Sequence, residues 1–250
     1  MEVKRVYQEE NLEKYLIKGV TPAFMNSIRR TIMTDVPCLA VEDVTFYEND
    51  SVIFDEMLAG RLGMLPIKTD TKTYKEGDKV KLILEKEGPA IVTSKDIKCT
   101  DPKIEILDKR IYITKLGKGQ KVKIEMTAVM DTGKKHAKFQ PAIVAYNELP
   151  YIDNDKSNVK NAKDLVEEMP KGSIELKAGK LFLLDPYNIT TQNQIEDILT
   201  KHGAKLAYSE NEFVLTIENT GQLSPKELIE SAVQEIKKKL EGLEEGLGKL

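Results

Sequence analysis

The sequence is poor in the residues that build metal sites, disulfide frameworks and proton-transfer centres. Its 250 residues include two cysteines, two histidines and no tryptophan. Cys38 and Cys99 are far apart and form no CxxC pair, which argues against a disulfide framework, a zinc ribbon and a cysteine-ligated iron–sulfur cluster. We therefore expect two reduced thiols and a protein without a metal or cofactor.

Long apolar runs and an excess of positive charge are also missing. No run of about 18 apolar residues occurs, and the N-terminal segment "MEVKRVYQEENLEKYLIKG" lacks the apolar core of a signal peptide. The formal net charge is −3, whereas proteins that bind nucleic acid over their whole surface are usually basic. With 40% hydrophobic and 32% charged residues, the composition predicts a folded protein. We expect it in the cytoplasm, without membrane contact and without direct, specific DNA binding.

Recognisable catalytic motifs are missing as well. His136 and His202 are the only histidines, and neither lies near a serine or cysteine motif. The segment "LGKGQK", residues 116–121, lacks the rest of a phosphate-binding loop, so we interpret it as a hairpin turn. The segment "DNDKSN" lacks the final glutamate of a calcium-binding loop. The sequence thus predicts no catalytic, cofactor-binding or metal-binding residues.

The sequence predicts two strands within residues 1–20 and an amphipathic helix after them. Thr21 is a good N-cap, Pro22 suits the first helical position, and the helix should end near Asp35. Its apolar positions follow one another at i, i+4 and i+8: Phe24, Ile28 and Ile32.

Two adjacent arginines, Arg29 and Arg30, lie at the centre of this helix. From the residues alone, the pair could be solvated surface, an anion site or a contact with another protein. A guanidinium group is well suited to bidentate pairing with a carboxylate at an interface.

The next hundred residues favour strands. "CLAVEDVTFYEND" alternates apolar and polar residues, and residues 55–62 form one short helical pattern before a glycine and a proline. Residues 80–85, 104–106, 110–114 and 122–130 alternate with period two. This region therefore predicts a mainly antiparallel β domain.

A polar, turn-rich stretch after Pro150 predicts a domain boundary. The segment behind it predicts helices at 162–168 and 192–202 and strands at 174–176 and 181–184. Two further strands, "KLAYSE" and "EFVLTIENTG", precede the last helix.

The chain closes with a second amphipathic helix. Ser224 and Glu227 form a capping box, and Pro225 is at the first helical position. One face of the helix is apolar: Leu228, Ile229, Ala232, Val233, Ile236, Leu240 and Leu243. This face could pack on its own domain or pair with a partner helix.

Three segments resemble the alpha-like subunits of DNA-directed RNA polymerase, and the archaeal members in particular. They are "TPAFMNSIRRTIMTDVPCLAVEDVTFYENDSVIFDEMLAGRLGMLPI", "AVMDTGKKHAKFQPAIVAYNELP" and "FVLTIENTGQLSPKELIESAVQEIKKKL". They occur in the family's order and span nearly the whole chain.

The resemblance implies an α+β fold with three parts: a split dimerisation domain (residues 1–42 plus 205–250), an inserted mainly antiparallel β domain (43–150) and a small ferredoxin-like α+β domain (151–204). It implies a non-catalytic subunit that heterodimerises with the small alpha-like subunit L. With the small subunits N and P, the heterodimer forms the platform on which large subunits, B among them, assemble for transcription.

The resemblance also implies roles for individual residues. Arg29, Arg30 and Arg61 would lie at the interface with a large subunit. Dimerisation would use the apolar positions of the two amphipathic helices: Phe24, Ile28, Ile32, Leu228, Ile229, Ala232, Val233, Ile236 and Leu240.

The chain departs from the family pattern at three places. Family members often have histidine where this chain has Gly60 and tryptophan where it has Phe139. Many archaeal members carry clustered cysteines in the ferredoxin-like domain, whereas residues 151–204 contain none and a cluster needs four thiolates. We predict that this domain keeps its fold without a cluster.

The residues weigh against two other functions. An electron carrier of the ferredoxin type would need the missing cysteines, and an independent nucleic-acid-binding protein would be expected to be basic.

Overall fold

The computed structural model describes residues 1–71, 73–159 and 161–249, and the side chains of residues 189–193 lie outside this description. Each predicted domain includes one residue outside the described ranges: Lys72, Lys160 or Leu250. The described helices are α1 (Pro22–Thr34), α2 (Asp55–Gly63), α3 (Ala162–Glu168), α4 (Ile189–Lys201) and α5 (Pro225–Leu247). The described strands are β1 (Glu2–Gln8), β2 (Leu12–Lys18), β3 (Pro37–Asn49), β4 (Lys79–Glu87), β5 (Ala90–Thr93), β6 (Ile97–Cys99), β7 (Tyr112–Leu116), β8 (Lys121–Thr132), β9 (Ala142–Ile152), β10 (Ile174–Lys177), β11 (Lys180–Leu183) and β12 (Leu206–Asn219).

The chain forms two compact units. The first contains residues 1–27 and 145–217, and the second contains residues 28–144 and 218–250. The sequence predicts boundaries at 42/43, 150/151 and 204/205, and that three-domain organisation stays a prediction. The α+β class is confirmed, since the five described α-helices accompany sheets whose registers are antiparallel.

The second unit is built around a four-stranded sheet in the order β3-β8-β4-β6. Alternate residues of its strands point into one apolar core, which α2 covers with Leu58 and Leu62, both fully buried. Burying such a leucine contributes roughly 1.5–3 kcal/mol. Two bulges interrupt the pairing of β3 with β8, between Val41 and Asp43 and between Phe46 and Glu48.

The first unit contains a four-stranded sheet in the order β1-β2-β12-β9. Strands β1 and β2 are antiparallel, with Glu2 opposite Lys18. The rings of Tyr146 and Phe213 meet edge to face at 5.9 Å between centroids, which adds a specific aromatic contact to the buried area.

The segment after Pro150 has an aliphatic core of its own. Helices α3 and α4 and the hairpin β10–β11 contribute most of its buried side chains: Ile152, Leu165, Met169, Ile174, Leu181, Ile195, Leu199 and Ala204. The two-residue turn of the hairpin has positive φ at Ala178 and Gly179, as a type I′ turn requires.

Several predicted elements differ from those of the structure. Residues 104–106 are not a strand, because Ile106 forms only an isolated bridge with Ile67. The two predicted strands near residues 205–220 are one continuous strand, β12. The sequence pattern does not predict strands β5, β6 and β9. The predicted hairpin at residues 116–121 is a turn between strands of different sheets, since β7 pairs with β5 while β8 pairs with β3 and β4.

Within the described residues, no helix combines the length and the hydropathy needed to cross a bilayer.

Candidate protein-interaction surfaces

Helix α1 buries one face and exposes the other, as its periodicity predicts. Met25, Ile28 and Ile32 are buried, and Phe24 lies on the exposed side. Ser27 and Thr34 each donate a hydrogen bond to the carbonyl oxygen four residues earlier, so these hydroxyl groups bond within the helix.

The two arginines of α1 have different environments. Arg29 is half-buried, and its Nη1 lies 3.8 Å from the Sδ atom of Met33. Arg30 is exposed and forms no ion pair with the described residues. The structure thus leaves Arg30 the more accessible guanidinium group for a carboxylate on another molecule.

The apolar residues of helix α5 are buried near its start and become less buried along its length. Leu228 and Ala232 are fully buried, and Ile229, Val233 and Ile236 are half-buried. Just beyond them, Lys239 Nζ lies 2.9 Å from Asp35 Oδ2 and so ties α5 to the residue after α1. Residues of the same chain therefore contact α5 as far as this ion pair.

The last two turns of α5 expose an apolar stripe. Leu240, Leu243 and Leu247 lie at i, i+3 and i+7, on one face, and are 59–61% exposed. A leucine stripe with this spacing is suited to a partner helix. We name these three residues the α5 stripe.

The structure divides the predicted dimerisation residues into three groups. Four are already buried within this chain and cannot add exposed area to a partner interface: Ile28, Ile32, Leu228 and Ala232. Three are half-buried: Ile229, Val233 and Ile236. Phe24 and Leu240 are accessible.

A second apolar surface surrounds helix α2. Phe54, Met57, Met64 and Tyr112 are 50–75% exposed. Phe54, Met57 and Met64 are spaced along one face of the helix, and Tyr112 borders the same groove as the two methionines. We name these four residues the α2 face.

Arg61 connects helix α2 to strand β7. Its Nη1 donates a 2.9 Å hydrogen bond to the carbonyl oxygen of Ile113, and its guanidinium carbon lies 5.8 Å from the centre of the Tyr112 ring. A guanidinium over an aromatic face is attracted by the ring quadrupole. Arg61, predicted at a large-subunit interface, thus contacts β7 of its own chain while remaining exposed.

Two grooves meet at Gly60. One, of about 530 Å³, is lined by Met57, Arg61, Met64 and Tyr112. The other, of about 280 Å³, is lined by Gly60, Gly63 and Met64 among other residues. Gly60 is inside a helix without positive φ, a position where glycine costs roughly 1 kcal/mol relative to alanine.

Glu42 and Lys138 line the smaller groove. Lys138 Nζ lies 2.5 Å from Glu42 Oε2 and donates a 2.9 Å hydrogen bond to the carbonyl oxygen of Val41. The hydrogen bond from Lys138 lowers the pKa of Glu42 below its usual value, so this carboxylate is ionised at neutral pH.

The segment "TGKKHAKFQP", residues 132–141, makes several contacts that stabilise the fold. A Cβ on Gly133 would lie 2.1 Å from the carbonyl oxygen of Met33, so this close backbone approach requires glycine. His136 Nδ1 accepts a 3.1 Å hydrogen bond from the Lys138 amide and caps a short 3₁₀ helix. Phe139 is fully buried.

The residues after Pro150 do not fit a cysteine-ligated cluster. The two cysteines lie outside this segment, and burial raises the pKa of the Cys38 thiol to about 11. The interior of the segment is aliphatic. At its surface, Glu168 lies 2.5 Å from Lys201 Nζ and 2.6 Å from His202 Nε2, which gives the second histidine a structural partner.

The region around helix α2 matches a known class of polymerase domain. Residues 52–150, which include α2, Tyr112 and Phe139, match the family described as "RNA polymerase Rpb3/RpoA insert domain". This match lies inside residues 43–150, for which the family resemblance implies an inserted β domain.

Similarity over the full length is more specific. DNA-directed RNA polymerase subunit Rpo3 of Methanosarcina acetivorans is 35% identical, with 96% of each chain covered. Subunit Rpo3 of Pyrococcus furiosus is 33% identical over 100% of this chain and 98% of its own. Subunit Rpo3 of Halobacterium salinarum is 33% identical over 98% and 97%. The chain therefore belongs to the Rpo3 family of DNA-directed RNA polymerase subunits, which are non-catalytic members of a polymerase complex.

Proposed function

We propose that this chain is an assembly subunit of a DNA-dependent RNA polymerase in the cytoplasm. It heterodimerises with the small alpha-like subunit L, and the pair, with subunits N and P, forms the platform for the second-largest polymerase subunit. The full-length similarity to Rpo3 subunits carries this proposal. The apolar surfaces that the chain leaves exposed support it, because large exposed apolar patches mark interaction sites.

The dimer contact with L uses the free end of α5. The α5 stripe lies beyond the ion pair between Lys239 and Asp35, so it projects past the part of the helix that its own chain covers. Of the large apolar side chains on α1, Phe24 is the exposed one. The α5 stripe, rather than the buried positions of α5, supplies the area that L covers.

The contact with the second-largest subunit uses the arginines of α1. Replacing Arg30 by alanine, or both arginines together, is expected to leave the heterodimer with L intact and to weaken recruitment of the second-largest subunit by about tenfold or more. A charge-assisted hydrogen bond contributes about 1.5–3 kcal/mol, which corresponds to that change. Recruitment is measured by titrating the second-largest subunit into purified heterodimer.

A matched control removes two positive charges elsewhere. Lys115 and Lys118 are exposed near the turn between β7 and β8, and their double alanine variant should recruit the second-largest subunit as the wild type does. If the double arginine variant also recruited it normally, the pair would have no role in this contact.

We further propose that residues 151–204 form a structural module without an iron–sulfur cluster. The segment has no cysteine and an aliphatic core. The purified heterodimer should accordingly contain no stoichiometric iron by elemental analysis, whereas one cluster per chain would contradict this proposal.

A further inference from the structure

The free end of α5 combines its leucine stripe with two charges of opposite sign. Lys237 and Glu244 are seven residues apart and flank the α5 stripe on the same side of the helix. Both are exposed, and neither forms an ion pair within the part of the chain that the structure describes. Lys239, on the other side of the stripe, is already paired with Asp35. Lys237 and Glu244 are therefore available to another molecule.

Two antiparallel copies of α5 match their apolar side chains in one register. When Leu240 of one copy lies opposite Leu243 of the other, Ile236 lies opposite Leu247, because the two chains run in opposite directions. These four residues follow the alternating four- and three-residue spacing of a coiled-coil seam. The three leucines are exposed and Ile236 is half-buried, so the seam is accessible to a second copy.

The same register also matches the charges. In antiparallel helices, residues that flank the seam on one side meet the residues on that same side of the other copy, which places Lys237 beside Glu244. A two-fold axis makes this pair twice. On the other side of the seam, Lys239 lies beside Gly246, so no like charges meet there.

The way the chain covers α5 favours the antiparallel arrangement. Residues of the same chain contact the helix as far as the ion pair between Lys239 and Asp35. A parallel pair would bring both of these covered segments to the same end of the contact. An antiparallel pair places them at opposite ends, and only the free ends of the helices overlap.

We propose that the α5 stripe joins two copies of this chain into an antiparallel homodimer when L is absent. The homodimer needs no other subunit and so goes beyond the proposed function. It removes from water a leucine stripe that the single chain leaves exposed. Because the proposed function has L cover the same stripe, each chain binds either L or a second copy, and L must displace that copy; this competition rests on the proposed function.

Exchanging the charges tests the register. The chain purified without L should show a concentration-dependent rise in mass toward twice 28.2 kDa in sedimentation equilibrium. Lys237→Glu and Glu244→Lys each turn two attractive pairs into two repulsive ones, so each should weaken dimerisation by about tenfold or more. An equimolar mixture of the two variants should dimerise as the wild type does, because opposite charges meet again across the contact.

Glu245→Lys is the matched control. It makes the same chemical change as Glu244→Lys at the next residue, which is exposed but faces away from the α5 stripe. Dimerisation of this variant should be unchanged. Equal weakening by the two glutamate variants, or a mixture of the Lys237 and Glu244 variants that stays monomeric, would overturn the proposed register.

Adding L separates this inference from the proposed function. Purified L should convert the homodimer into a one-to-one heterodimer, as native mass spectrometry would show. A wild-type chain that stays monomeric throughout the concentration series but binds L would overturn the homodimer and leave the proposed function intact. A homodimer that persists in excess L would contradict the proposed function and leave the homodimer standing.

Discussion

Leu243→Asp is expected to weaken heterodimerisation with subunit L by about 100-fold or more, which corresponds to roughly 2.7 kcal/mol. Leu243 is at the centre of the α5 stripe, where a partner helix would bury the new carboxylate without a counter-charge. The chain itself should remain folded, because the side chain is exposed in the free subunit.

The comparison with Gly242→Asp makes this result specific. Gly242 is adjacent in the same helix but faces away from the α5 stripe, and an added Cβ there meets no atom within 4 Å. This variant carries the same new charge and should bind L with wild-type affinity. Titration calorimetry on both variants gives the comparison; equal affinities would show that the α5 stripe does not contact L. Ile236→Asp is a poorer test, since Ile236 is half-buried and its loss would also affect the chain's own packing.

Phe139→Ala is expected to lower the free energy of unfolding by about 3–5 kcal/mol, the usual cost of removing a buried phenylalanine ring. Phe139 is fully buried. Lys135 and Lys138 also place their Nζ atoms 5.7 and 5.2 Å from the centre of its ring. The substitution therefore removes buried area, two cation–π contacts and the support of the Lys138–Glu42 ion pair.

Phe54→Ala is the matched control for that loss. It makes the same chemical change at an exposed residue of the α2 face, so the free energy of unfolding should change by no more than about 0.5 kcal/mol. Urea denaturation of the two variants separates the outcomes. If Phe139→Ala lowered the free energy of unfolding no more than Phe54→Ala does, the segment "TGKKHAKFQP" would not stabilise the insert region.

The helices were largely predictable because their ends carry local signals. Thr21 and Pro22 mark the start of α1, and Ser224, Pro225 and Glu227 mark the start of α5, where the capping box is present. The strands were harder, since pairing depends on residues distant in sequence. Residues 104–106 have the right alternation but find no strand partner, and β9 lies in a segment without a clear alternating pattern.

The candidate surfaces were predictable only in outline. Helical periodicity shows which residues share a face, but it cannot tell whether the chain itself or a partner covers that face. In α5 the part that its own chain covers ends at the ion pair between Lys239 and Asp35, which are far apart in sequence. The α2 face was missed because Phe54, Met57 and Met64 look like ordinary core residues until the structure shows that Leu58 and Leu62 fill the core instead.

We propose that this chain works as one half of an alpha-like heterodimer. The most direct test is to co-express it with the small alpha-like subunit L of the same organism and to measure the mass of the purified product by light scattering and native mass spectrometry. We predict a stable one-to-one complex whose mass is that of L plus the 28.2 kDa chain. A well-folded monomer that does not associate with L would contradict the proposed heterodimer.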